Sequence, residues 1–319
     1  MLRALAADFA AIASNRVVVS VDERFECDLI RNIPHDRVET IRIGPGEERD
    51  RIVEAARSAD YTLVIAPETD GLLAERAGWI PDGRSLGSGR SAIELAGDKY
   101  ALADHWIGRG LPHPESIRLG EIGAIPADFP FPAVLKPIDG AGGVDARIVD
   151  QIDEDWNHGL CNNLIIQKFI KGRSMSASFL IDRSGTPRLI AVGEQSIAWP
   201  GGRCRYDGGR LPIEVSSEVR RELITAARSV SGLLGWVGID FIKDERNDSI
   251  VLIELNPRPT TSLIGAARLS PPGLLALAWL EGVQGAEEEF AVRLTETIAS
   301  KPPTRFEVDR LFTHSDNMR

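Results

Sequence analysis

Two spacings of apolar residues alternate along the first eighty positions. Arg16–Val21 (RVVVSV), Glu39–Ile43 and Tyr61–Ala66 (YTLVIA) are short β-rich runs that predict buried strands. Between the last two, Glu47–Ser58 sets Ile52, Val53 and Ala56 on one helical face. This order predicts a small parallel βαβαβ sheet. Such sheets meet ligands at the carboxyl ends of their strands, which puts Asp22–Glu23 and Pro67–Asp70 within reach of a site. Ordinary loop polarity also explains any one of these residues. Met1–Ala13 is apolar but short and interrupted by Arg3 and Asp8, so it predicts a packed helix and not a leader.

Further on, Asp98 is suited to cap a helix through His105–Arg109, with Leu102, Trp106 and Ile107 apolar and Gly110 as the stop. Lys99 falls in its first turn, where an exposed surface lysine is the plain alternative. Phe131–Lys136 (FPAVLK) predicts a strand ending in a cation. Leu164–Ile170 predicts a second, interrupted by Gln167-Lys168 and followed by Gly172. Its polar residues suit either hydrogen bonds to a flat base or an exposed edge. Ser174–Ile181 and Leu189–Glu194 flank an Asp182–Thr186 turn as an antiparallel pair. Ser217–Leu234 is helical through Val219, Leu223, Ala226 and Val230. The tail, Glu287–Arg319, is charged and predicts a frayed end. No internal repeat is visible.

The most informative stretch is Val237–Ser262. Val237–Lys243 alternates, Ile250–Asn256 carries an apolar inner face, and DERNDS joins them. Folding the hairpin about Asn247 sets Asp240 opposite Glu254, with Asn256 on the same face. Opposed residues have Cβ atoms ~5 Å apart, where like charges destabilise the pair unless a cation sits between them. Oxygen donors from Asp, Glu and Asn suit Mg²⁺, which takes its remaining ligands from waters and substrate phosphates. Acidic residues in hairpins are also commonly solvated surface. Here they lie inside apolar strands, away from the turn. Pro257 and Pro259 end the ladder and throw Arg258 out of the sheet.

Two glycine-rich stretches add candidate chemistry. Pro137–Gly143 (PIDGAGG) follows Lys136, and its glycines would let backbone N–H groups approach phosphate. A hairpin turn is the alternative, and no GK[ST] follows to make a P-loop. Pro200–Gly209 (PGGRCRYDGG) carries Arg203, Arg205 and Tyr206 and predicts a mobile lid. The G-x-G-x-x-A pattern at Gly87, Gly89 and Ala92 follows no strand, so it predicts an interdomain linker and not a dinucleotide fingerprint.

Composition narrows the picture. With 319 residues the chain can form two or three compact units, and 43% hydrophobic with 26% charged residues is ordinary for a globular protein. A net charge of −10 argues against nucleic-acid binding but leaves room for a local basic pocket. Cys27, Cys161 and Cys204 are scattered and read as reduced thiols of a cytoplasmic protein. The five His residues lack zinc-site spacing. The apolar run at 263–283 is broken by Arg268 and two prolines, too much so to span a membrane.

Taken in order, DKY at 98–100, VLKPIDGAGG at 134–143, IIQKFIKG at 165–172, GIDFI at 238–242 and IELNPRPTTS at 253–262 resemble the ATP-grasp superfamily of carboxylate–amine ligases, over nearly the whole chain. The resemblance implies an α/β protein, α+β in the grasp subdomains: a Rossmann-like pre-grasp domain at 1–88, a first subdomain at 89–170, and a second at 171–319. It implies Lys99 and Lys136 on the phosphates of ATP under Gly140, Gly142 and Gly143, and Gln167, Lys168 and Ile170 at the adenine. Asp240, Glu254 and Asn256 would hold two Mg²⁺, or Mn²⁺ in their place, with Arg258 and Lys136 catalytic. Arg205, Tyr206, Arg258 and Thr261 would meet substrate. Many relatives carry an acidic ribose contact after the hinge, where this chain has Arg173–Ser176. LNPRPTTS, YDGG and SMSAS are most similar to the branch that joins glutamate to tyramine in methanofuran biosynthesis, with bacterial relatives in one-carbon metabolism. The implied reaction runs through an acyl-phosphate to an amide, with tyramine or tyrosine as the amine. The implied partners are small molecules, with a homodimer left open. Carboxyphosphate chemistry and ATP binding without turnover are the competing readings.

Overall fold

The computed structural model describes residues 1–24, 37–121, 125–151, 163–244, 246 and 248–307. Cys27, Cys161, Asn247 and the end of the charged tail lie outside the described residues. Helix α1 (Leu2–Ala10) buries Leu5, Ala6 and Ala10, as its apolar face requires. Strands β1 (Val17–Asp22) and β2 (Val38–Ile43) pair in parallel, and α2 (Glu48–Ser58) follows.

The third expected strand is not regular. Tyr61–Ala66 keeps a single parallel bridge, Thr62 to Ser85. Its alternation serves burial on two sides instead. Tyr61, Leu63 and Ile65 pack on one core. Val64 and Ala66 pack on another, with Leu73 and Ala74 of α3 (Leu72–Ala77). Two-sided burial writes the same pattern as a strand without supplying a ladder partner. Leu86–Ala92, expected as a linker, is well packed. Leu86 O accepts from Trp279 Nε1 at 2.8 Å, Gly89 N–H donates to Gly232 O at 2.8 Å, and α4 (Arg90–Gly97) starts there.

Helix α5 (Lys99–Ile107) is capped by the Asp98 carboxylate, which accepts from the N–H groups of Tyr100 and Ala101. A four-stranded sheet then forms from β3 (Ser116–Arg118), β4 (Ala133–Pro137), β5 (Arg147–Val149) and β6 (Leu164–Lys168), in the spatial order β3-β6-β4-β5. Thus β6 is interior and not an exposed edge. Ala133, Leu135 and Ile166 pack against Phe129 on one face. Period two therefore puts Val134, Lys136, Ile165 and Gln167 together on the other.

The larger sheet contains β7 (Arg173–Ile181), β8 (Pro187–Ala198) and β9 (Arg205–Leu211). After α6 (Ser217–Ser229) come β10 (Gly235–Lys243) and β11 (Ile250–Asn256). Helices α7 (Ser262–Leu269), α8 (Leu274–Gln284) and α9 (Glu289–Ala299) precede β12 (Thr304–Phe306). The strand order is β11-β10-β7-β8-β9-β12. The expected lid at 200–209 is loop only in its first part, because its second half is β9. Gly209 there permits close approach, since a Cβ would lie 2.3 Å from Glu194 O. One face of the sheet packs on α4, α5 and α6 around Trp106 and Leu223. The other packs on α1, α7, α8 and α9 around Trp236 and Trp279. Helices α7 and α8 meet at a 112° bend, and no single helix among the described residues is long and apolar enough to cross a membrane.

Candidate active site

The site grows from the β10–β11 hairpin. Asp240 opposes Glu254, and Gly238 opposes Asn256, as the sequence pattern anticipates. The register then slips, so that Phe241 opposes Leu252 and Ile253 is the surplus residue of a β-bulge. Unbroken alternation would put Glu254 and Asn256 on the face of Ile250 and Leu252, which is core. The bulge reverses parity. Leu255 joins Leu252 in the core, and Glu254 and Asn256 turn to the polar side with Asp240.

The carboxylates are tightly held. Asn256 Nδ2 lies 3.4 Å from Asp240 Oδ2 and 3.4 Å from Glu254 Oε1. Gln195 Nε2 donates to Asp240 Oδ1 at 3.0 Å, and Ser176 also hydrogen-bonds this carboxyl. Burial, and then the facing Glu254, push Asp240 well above the usual carboxylate range. Burial pushes Glu254 up too, but Lys99 and then Lys136 bring it below its ordinary value. A pair placed this way shares a proton or takes a cation. Among the described residues no group of three His, Cys, Asp or Glu side chains suits a metal ion. Asp240 and Glu254 offer hard carboxylate oxygens of the kind Mg²⁺ accepts, and turning over the Asn256 amide, whose nitrogen faces them here, would present its oxygen as a third.

Two buried ammonium groups face this pair. Lys99 Nζ lies 3.9 Å from Glu254 Oε2 and donates to Ile138 O at 3.3 Å and to Gly140 O. Lys136, at the end of β4, is lowered to about 8, mainly by burial, with Glu254 opposing that shift. The glycine-rich turn follows it, with Gly142 and Gly143 at φ 68° and 73° in the left-handed region that favours glycine. A Cβ on Gly143 would lie 2.7 Å from Cys204 Sγ, and Cys204 N–H donates to Ala146 O at 2.8 Å. The two glycine-rich stretches therefore interlock. Burial, then Glu254, raise the Cys204 thiol.

Other expected residues divide between the cluster and its surroundings. Gln167 is on the Lys136 face and donates to Ser116 Oγ at 3.0 Å. Lys168 turns the opposite way and is exposed, while its N–H donates to Glu115 O. Ile170 lies half-buried just beyond the strand. The Tyr206 hydroxyl, hydrogen-bonded to Thr261, is pushed upward by burial and then by nearby Asp240. Arg205 takes the opposite strand face and pairs with exposed geometry to Asp207 at 2.9 Å, apart from the cluster. Arg258 reaches back toward the first unit. Its Nε donates to Glu68 Oε1 and Oε2 at 2.9 and 3.0 Å. Next to Glu68, Asp70 N–H donates to Asp139 Oδ2 at 2.9 Å. Of the two loops expected near a site, Pro67–Asp70 thus reaches it, whereas Asp22 pairs with Arg24 on the surface.

Paired buried lysines beside a cation-seeking carboxylate pair supply the positive field that phosphoryl transfer from a nucleoside triphosphate requires. Comparison with known proteins agrees. Residues 96–262 match the ATP-grasp domain and residues 15–93 the pre ATP-grasp 3 domain. The chain belongs to the ATP-grasp family, and within it to the ATP-dependent, ADP-forming ligases that join a carboxylate to an amine. It is 32% identical over 246 residues to tyramine–L-glutamate ligase of Methanocaldococcus fervens, covering 76% of this chain and 72% of that one. D-alanine–D-alanine ligase of Acidiphilium cryptum is 27% identical, with 54% of this chain and 60% of that one covered. An ATP-grasp superfamily structure from Archaeoglobus fulgidus superposes with a TM-score of 0.57 at 25% identity, over 79% of this chain and 72% of that one.

Proposed function

We propose that the chain activates the side-chain carboxylate of glutamate as an acyl-phosphate and joins it to an aromatic amine such as tyramine or tyrosine. The likeness to the Methanocaldococcus fervens ligase supports these substrates, and with them a place in methanofuran-type cofactor synthesis. The observation that carries the catalytic reading is the Asp240–Glu254–Asn256 set facing Lys99 and Lys136.

A carboxylate and an amine do not condense in water until a carboxylate oxygen becomes a leaving group. Here the γ-phosphoryl group of ATP passes to that oxygen, ADP leaves, and the amine then displaces phosphate at the acyl carbon. Lys99 and Lys136 bind the phosphates, under the amides of Gly140, Gly142 and Gly143. Gln167 and Ile170 line the base. Asp240, Glu254 and Asn256 would hold Mg²⁺, which when bound neutralises charge on the phosphoryl oxygens. Arg258 steadies the group in transfer. Tyr206 and Thr261 face the acceptor side, and the interlocked turns at 139–146 and 200–204 keep water out. Arg205, on the far strand face, is left out of this assignment.

The test is ADP release from Mg²⁺–ATP with glutamate and tyramine, with bicarbonate in parallel. ADP release that requires both glutamate and an amine supports the reading, whereas ADP release dependent on bicarbonate alone refutes it. The Glu254→Gln variant should lose at least ~10²-fold in turnover while still binding nucleotide.

A further inference from the structure

We propose that Glu68 is a positioning residue for Arg258. It aims the guanidinium at the phosphoryl group in transfer and keeps it off the carboxylates that take the divalent cation. The inference rests on the reading of Arg258 given above.

The pair is buried, with side-chain exposures of 14% for Arg258 and 6% for Glu68. Both carboxylate oxygens accept from the single Nε–H edge. Nη1 donates to Pro259 O at 3.3 Å, and Nη2 lies 3.5 Å from Asn256 Oδ1. Each Nη carries two hydrogens, so one on each remains for a ligand. The locked edge thus points to the first unit and the free edge to the Asn256 side.

Charge explains why a partner is needed. Asn256, which Arg258 Nη2 approaches, also touches the carboxylates of Asp240 and Glu254. Without Glu68, a mobile guanidinium has every reason to fold onto them and compete with a cation. Pro257 and Pro259 fix the backbone but not the long side chain. Glu68 is itself braced. Its stem packs on Gly97, directly before Asp98 and Lys99, where an added Cβ would lie 3.5 Å from Glu68 Cβ. The chain then turns through Asp70 and Gly71 at φ 53° and 70°, and Asp70 N–H holds Asp139 beside the glycine-rich turn. One short bend therefore joins Arg258, the Lys99 helix and the phosphate turn.

The test compares Glu68→Ala, Glu68→Gln, Arg258→Ala and the double variant Glu68→Ala/Arg258→Ala, with melting temperature as the folding control. Glu68→Ala should lose about 10- to 100-fold in kcat, with KM for ATP nearly unchanged. Glu68→Gln, whose amide oxygen still accepts, should recover part of the loss. The double variant should be no slower than Arg258→Ala. Losses that multiply in the double variant overturn the proposal. A second readout needs no turnover: Mg²⁺ titration of nucleotide binding. Glu68→Ala should need severalfold more Mg²⁺ than the wild type, and an unchanged requirement overturns the proposal. This readout holds whichever carboxylate and amine the enzyme accepts. A wild type that fails to release ADP with glutamate and tyramine refutes the substrate assignment alone.

Discussion

Lys136 should weaken the empty fold in the service of catalysis, and the size of the effect follows from its burial. The ammonium is held at about 8 against an ordinary 10.5. At 1.36 kcal/mol per tenfold change in proton affinity, the charged form costs the folded chain about 3 kcal/mol. Attraction to Glu254 and Asp240 is already contained in that value. The sign follows from proton counts. Below pH 8 both folded and unfolded chains hold the proton, and the full cost applies. Between about 8 and 10.5 the folded chain has released a proton that the unfolded chain still binds, so stability rises with pH. Lys136→Met keeps the shape of the stem and removes the charge. It should stabilise the metal-free, nucleotide-free protein by about 3 kcal/mol at pH 7 and by only about 1 kcal/mol at pH 9.5. Urea unfolding at both pH values measures this, and ADP release should fall at least ~10²-fold in the same variant. A variant no more stable than the wild type at pH 7, or one whose gain is equal at both pH values, refutes the reasoning.

Two glycines give further checks. In Gly172→Ala the new Cβ meets Ile242 Cγ2 and Lys243 O at 2.6 Å, and since one obstacle is backbone the chain must shift; the expected loss is about 1–3 kcal/mol, read from the urea midpoint. Gly143→Ala combines a left-handed φ of 73° with a 2.7 Å contact to Cys204 Sγ, so KM for ATP should rise. Adding Cys204→Ala should recover the steric part and leave the conformational part, as nucleotide titrations would show.

Much of the architecture is written in local pattern. The Asp98 cap, the start of α6 and the Asp240–Glu254 pairing depend on neighbours in sequence or on one hairpin and occur where the spacing puts them, although α6 stops at Ser229, short of the expected Leu234, with Val230 already extended. The differences arise where distant packing decides. Tyr61–Ala66 alternates because two cores take its side chains, which a strand rule cannot distinguish from a ladder. The glycines of β9 look like mobility, yet Gly209 admits the backbone of β8. Arg205 and Tyr206 look equivalent until the stretch becomes a strand and their directions separate. Glu68 meets Arg258 across 190 positions. The polar loop after Ala66 is the only local sign of it, and many surface loops carry the same sign.

The bulging of Ile253 out of the ladder decides which way the end of the strand faces. Flattening the bulge with all seven residues of β11 kept would swap oil for acid, sending Glu254 and Asn256 inward and Leu255 out to water, whereas deleting Ile253 would join Leu252 to Glu254 in an even ladder and keep Glu254 and Asn256 beside Asp240. Gains or losses of residues at the tip, between Asp244 and Ser249, leave that parity untouched. An enzyme built this way can vary freely at the end of its hairpin, while any change between Leu252 and Glu254 must leave those two on opposite faces.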